Sequence, residues 1–112
     1  MAYSEYLADR VRQRLKPHGI SDEKKMMGGL IFMVNEKMCV GIDMDKKTGN
    51  DRLMIRVGKA SHDQLLFKRG SREMDFTRKT MRGFLFIDPE GFDADDDLDF
   101  WIQKALEFNK QH

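Results

Sequence analysis

The apolar positions of this chain follow two periods, and the change from one to the other marks out the elements. Tyr3, Leu7, Val11 and Leu15 fall four apart, which sets them on one face of a helix. Ser4 stands at the N-cap position, and Pro17 with Gly19 ends the helix. From Lys25 to Val57 the period is two. Leu30 to Val34 is a strand-like run, and Met38, Val40, Ile42 and Met44 alternate with Cys39, Gly41 and Asp43. Leu53, Ile55 and Val57 alternate with Arg52, Met54 and Arg56. Asn35-Glu36-Lys37 is short enough for a hairpin connection, whereas residues 46–51 read as a longer polar loop. Ser61 and Gln64 have capping-box spacing, with Ser61 as N-cap, and predict a short helix through Leu65, Leu66 and Phe67 that ends near Gly70. Arg72 to Phe76 and Met81 to Asp88 predict two more strands. Within the second, Arg82 to Ile87 is apolar on both faces, which predicts a central or doubly covered position. After the turn at Asp88-Pro89-Glu90-Gly91 comes a last helix, whose broad apolar face carries Leu98, Trp101, Ile102, Ala105, Leu106 and Phe108.

The order α-β-β-β(β)-α-β-β-α predicts one α+β domain over residues 1–112. Five to six mainly antiparallel strands lie in its sheet, with helices flanking it. Composition fits a packed domain, at 40% hydrophobic and 35% charged. A net charge of +1 gives no global field to draw nucleic acid or a membrane surface. No apolar run is long enough to span a bilayer, and the start of the chain does not read as a signal peptide. The single Cys39 excludes an internal disulfide. The expectation is a cytoplasmic protein without membrane contact. Nine methionines fill a core or furnish an adaptable binding surface.

The sequence supplies no catalytic constellation and no cofactor motif. His18, His62 and His112 are isolated, and neither HExxH nor CxxC occurs. Cys39 reads as a buried, inert thiol. The acids from Asp43 to Asp51 look like part of a calcium loop, but Thr48 and Met54 replace the Gly and Glu that an EF-hand begun at Asp43 requires. Asp88, Glu90, Asp93, Asp95, Asp96, Asp97 and Asp99 read as a solvated helix start, with weak cation binding or a basic partner as the alternative.

Two stretches carry sharper signals. Met26-Met27-Gly28-Gly29 places two glycines between strand-like runs. That suits a tight turn or a bulge, the alternative being a backbone anion cradle. Arg82-Gly83-Phe84-Leu85-Phe86-Ile87 partly matches the RNA-recognition pattern of basic, Gly, aromatic, small, aromatic, apolar. Lys68, Arg69, Arg72, Arg78, Lys79 and Arg82 surround it with positive charge. On that reading Phe84 and Phe86 are exposed and stack on bases; on the other they are core beneath a helix. Leu85 is too large for the small position, and no further strand follows the last helix.

Met26-Met27-Gly28-Gly29-Leu30-Ile31-Phe32 resembles the N-terminal domain of the TfoX/Sxy competence regulators, whose pattern there is a basic residue, Met, Phe, Gly, Gly and an apolar strand. The resemblance continues at Lys37-Met38 into Gly41, at Leu53 to Gly58, at Met81-Arg82-Gly83-Phe84 and at Trp101 to Leu106. Met27 stands where the family usually has Phe. The resemblance implies a fold similar to the type III secretion chaperones. It also implies a non-catalytic regulatory role exercised through a protein partner, a transcription-related one being an option, and it defines no catalytic residues. The related two-domain regulators continue into a helical second domain that has no counterpart in this sequence. A homodimer through a sheet edge is also expected, formed by Met38 to Met44 or by Arg72 to Phe76.

Overall fold

The computed structural model describes residues 3–26, 28–76 and 79–111, without the side chains of residues 75, 76, 79 and 80. Helix α1 spans Glu5–Leu15, and the Ser4 hydroxyl caps it by accepting from the Leu7 N–H at 3.2 Å. A single 3-10 turn containing Pro17 follows, and Gly19, in left-handed conformation, turns the chain into the sheet. The strands are β1 (Ile20–Met26), β2 (Gly29–Val34), β3 (Lys37–Met44) and β4 (Asp51–Arg56), then β5 (Ser71–Phe76) and β6 (Lys79–Ile87). Helix α2 (Lys59–Leu66) lies between β4 and β5, and α3 (Asp95–Gln111) follows β6. All strand pairs are antiparallel, in the order β1-β2-β3-β4-β6-β5. The α+β class, the antiparallel sheet and the three helices are those that the hydrophobic pattern predicts, and the strands number six where it predicts five to six.

All three helices pack on one face of this sheet. Leu7, Val11 and Leu15 of α1, Leu65 of α2, and Leu98, Trp101, Ile102, Ala105 and Leu106 of α3 join Leu30, Phe32, Val40, Ile42, Leu53, Ile55, Leu85 and Ile87 in one core. The other face has a smaller cluster made of strand residues alone. Ile31, Met54, Met74 and Phe86 are buried there, and Met33, Met38, Met81 and Phe84 pack around them.

Two irregularities decide which side chains reach that second face. Between β2 and β3 the register slips, so that Phe32 pairs with Val40 but Met33 pairs with Met38. The extra residue is Cys39, which joins the main core while Met38 turns to the opposite face; the simple alternation from Met38 to Met44 therefore breaks at its start. In β6, Gly83 has φ 93°, and both Met81 and Phe84 face the second cluster.

Other expectations need correction. A strand occupies residues 20–26, where the sequence reading began its sheet only at Lys25. It is an edge strand exposed along most of its length, so it has almost no hydrophobic pattern. Helix α2 begins two residues before Ser61, and its N-cap is Gly58. The Met38–Met44 strand is central, between β2 and β4, and has no free edge to offer a second copy; β1 and β5 are the edges. Phe84 and Phe86 do not lie beneath a helix but on the helix-free face.

Candidate functional site

The candidate chemistry lies in three zones, two on the helix-free face and one at its border with the helices. Along β2 and β3 the helix-free face shows Met33 and Met38, half-buried, beside the buried Ile31. Gly41 keeps this zone low. A Cβ there would meet the Met54 and Ile31 side chains at 2.6 and 2.8 Å.

The second zone is an ion-pair ladder across β3, β4 and β5. Asp43 accepts two bonds from Arg52, at 2.8 and 3.1 Å. Arg52 also lies 3.6 Å from Asp45, and Arg72 donates to Asp45 at 3.2 Å and to Asp88 at 2.6 and 2.8 Å. Asp45 also accepts from the Lys47 N–H. That bond, with the Arg52 and Arg72 charges, holds its carboxyl below the usual range. The Arg52 guanidinium lies 3.7 Å from the centroid of Phe86, so the ladder roofs the ring. Of the acids that suggested a calcium loop, Asp43 and Asp45 are thus engaged by arginines, and among the described residues no three metal-ligating side chains come together.

The third zone is a cleft at the junction of β4, α2, β6 and the end of α3. It encloses about 400 Å³ and is lined by Arg56, Lys59, Ser61, Arg82, Phe84 and Phe108, with the backbone of Val57 to Ala60 and Gly83. Two glycines make it. The Gly83 carbonyl accepts from the N–H groups of Val57 and Gly58 at 2.8 and 3.0 Å, and the Phe108 ring lies where a Gly58 Cβ would point, 2.5 Å away. Gly58 has φ 85°, so a side chain there meets both strain and a clash. Beside the cleft, His62 is fully buried. Its Nδ1 accepts from the Gly83 N–H at 3.0 Å, which leaves Nε2 to carry the proton toward Glu73, 3.4 Å away. It acts as a brace for the β6 bend.

The residues singled out in the sequence do not form one site. Gly28 has φ 76° in the turn between β1 and β2, and a Cβ on Gly29 would run into the Ile42 carbonyl oxygen. Met26 is half-exposed on the edge, and Met27 lies outside the described residues. Of the basic segment, Lys68 sits 4.3 Å from the Phe100 ring on the helical side, Arg69 is exposed after α2, Arg72 belongs to the ladder and Arg82 pairs with Asp63 at 3.1 Å. Arg78 and the Lys79 side chain lie outside the described residues. Phe86 is 2% exposed and has no face to offer a base, whereas Phe84 is half-buried at the cleft. Cys39 is buried, and burial pushes its thiol up to about 12. Sequence reasoning missed the cleft because its walls come from residues 56–61, 82–84, 108 and 111. In the sequence Arg56 reads only as the polar half of an alternation.

The family model of the TfoX N-terminal domain matches residues 13–109. No curated protein and no solved structure matches the chain.

Proposed function

The chain belongs to the TfoX N-terminal domain family, and from that footing we propose that it is a small non-enzymatic regulatory module that acts by binding another protein through the helix-free face of its sheet. One observation carries this reading. A buried apolar cluster lies on a sheet face that no helix among the described residues covers, and half-buried methionines ring it. Methionine adapts its shape to a partner at low cost, and polar stretches flank the patch, as at docking surfaces. The occupant fitted by Met33 and Met38 is an apolar segment of a partner protein, of the regulatory kind that the family suggests. No helix of the described residues is long and apolar enough to cross a membrane.

The test is capture of partners from an extract of the source cells, with and without nuclease, by the full chain and by two variants. Met33→Glu with Met38→Glu should abolish capture and leave the fold intact, because both half-buried side chains already reach solvent. Gln13→Glu on α1 should change nothing. Capture that survives the double substitution, or that disappears with nuclease, counts against the proposal. Sedimentation of the pure chain reports the other occupant: a dimer lost in the same variant would put a second copy on this face. A dimer that is kept would point to the β5 edge.

The second reading is nucleic-acid binding through the basic segment with Phe84 and Phe86. In its favour, both rings lie on the helix-free face, as that reading requires. Against it, Phe86 is buried, and Arg72 and Arg82 already meet carboxylates. Affinity for single-stranded RNA or duplex DNA that falls steeply with salt would restore this reading.

A further inference from the structure

Arg56 is a half-buried cation that no carboxylate of the described chain meets. Arg10, Arg12, Arg14, Arg52, Arg72 and Arg82 each have an acidic partner. Arg56 instead lies between two rings, 5.6 Å from the centroid of Phe84 and 5.0 Å from that of Phe108. Contact with ring faces uses none of its N–H donors, and a partly desolvated guanidinium without a counter-ion is unfavourable unless something else meets it. The cleft that holds it contains two further cations, Lys59 and Arg82, and among the described residues no carboxylate lines it. Asp63, which pairs with Arg82, is not among the lining residues. Phe84, Phe108 and Val57 supply apolar wall. No side chain caps the first turn of α2, whose residues Lys59, Ala60 and Ser61 line the same cleft, so their N–H groups add to the pull on an anion.

Two cations that meet no carboxylate of the described residues, a third shared with Asp63, and aromatic walls in about 400 Å³ select a ligand with a charged head and a flat apolar body. A head with several terminal oxygens uses a forked guanidinium and a row of N–H donors better than a carboxylate does. We propose that this cleft binds a small phosphate monoester with a flat apolar or aromatic body, about the size of a mononucleotide. The proposal is independent of the docking face along Met33 and Met38.

The test titrates the full, isotope-labelled chain with phenyl phosphate, inorganic phosphate and benzoate, following the amides of Lys59, Ala60 and Ser61 by NMR. Phenyl phosphate should shift them saturably and bind about tenfold more tightly than either other probe. Arg56→Gln should weaken it by about tenfold or more, as expected for loss of a bidentate contact. Arg82→Gln, at an exposed position, carries the same test should Arg56→Gln lower the thermal midpoint. Absence of saturable shifts, equal affinity for inorganic phosphate, tighter binding of benzoate, or affinity unchanged in a folded variant would each overturn the proposal.

Discussion

Phe84 and Phe86 show how much two positions along a strand decide. Both rings point to the same face, yet one is sealed beneath Arg52 and the other borders a cleft. Phe86→Ala removes a ring that is 2% exposed and leaves a cavity under the ion-pair ladder, so it should cost about 3–5 kcal/mol. Phe84→Ala should cost clearly less, about 1–2 kcal/mol, because solvent already reaches part of that ring. Urea midpoints of the two variants check the order. Sequence alone assigns the larger figure to Phe84, since an apolar run on both faces reads as core and does not tell which face the helices cover.

Among the elements, the β2–β3 hairpin and α3 depend on each other. Asn35 and Glu36 form a two-residue turn with φ 53° and 62°, the left-handed geometry that a tight hairpin requires and that a side chain such as glutamate disfavours. Asn109, buried near the end of α3, donates to the Val34 carbonyl at 2.9 Å and accepts from the Asn35 side chain at 2.8 Å. Asn109→Ala removes both of these buried bonds and should cost about 1–3 kcal/mol, read as a fall in the urea midpoint at unchanged slope. Helix and central-strand positions were legible in sequence because Leu7, Val11 and Leu15, or Leu53 and Ile55, repeat with the period of a buried face. Strand β1 was not, because its polar side chains face solvent and its partner interactions are tertiary; Glu23 is there to meet Arg12 of α1, at 2.8 Å. The α2 start was misread because Ser61 looks like a cap, while the backbone bend at Gly58 and Gly83 sets the true boundary. The cleft was illegible for a similar reason: three distant stretches meet only after the sheet has formed.

The whole molecule carries carboxylates held in ion pairs, and this fixes the sign of its response to acid. The side-chain bond from Arg12 lowers the carboxyl of Glu23, Asp45 is lowered as described, and the bond from Arg10, followed by the charge of Arg14, lowers Asp95. Each of these groups takes up its proton in the unfolded chain at a higher pH than in the folded one. Their stabilisation is present above the ordinary carboxylate range and disappears as pH falls through the lower, folded values. Burial raises Asp51 and works in the opposite direction, but it is one group against three. The thermal midpoint should therefore fall steadily below about pH 5, and Glu23→Gln should lower it at neutral pH while flattening the acid limb.

The pairs that join α1 to α3 have a further consequence, in time rather than in energy. Arg14 meets Asp99 and Asp95, and Arg10 meets Asp95, across sequence separations of 85, 81 and 85 residues. The β2–β3 and β3–β4 hairpins close over short loops and can form independently, whereas α1 has no completed seat until α3 has been laid across the sheet. Docking of α1 is then a late event in folding and an early one in unfolding. Val11→Ala, in the buried stripe of α1, should steepen the loss of the native state by speeding unfolding, while the refolding limb of the chevron barely moves.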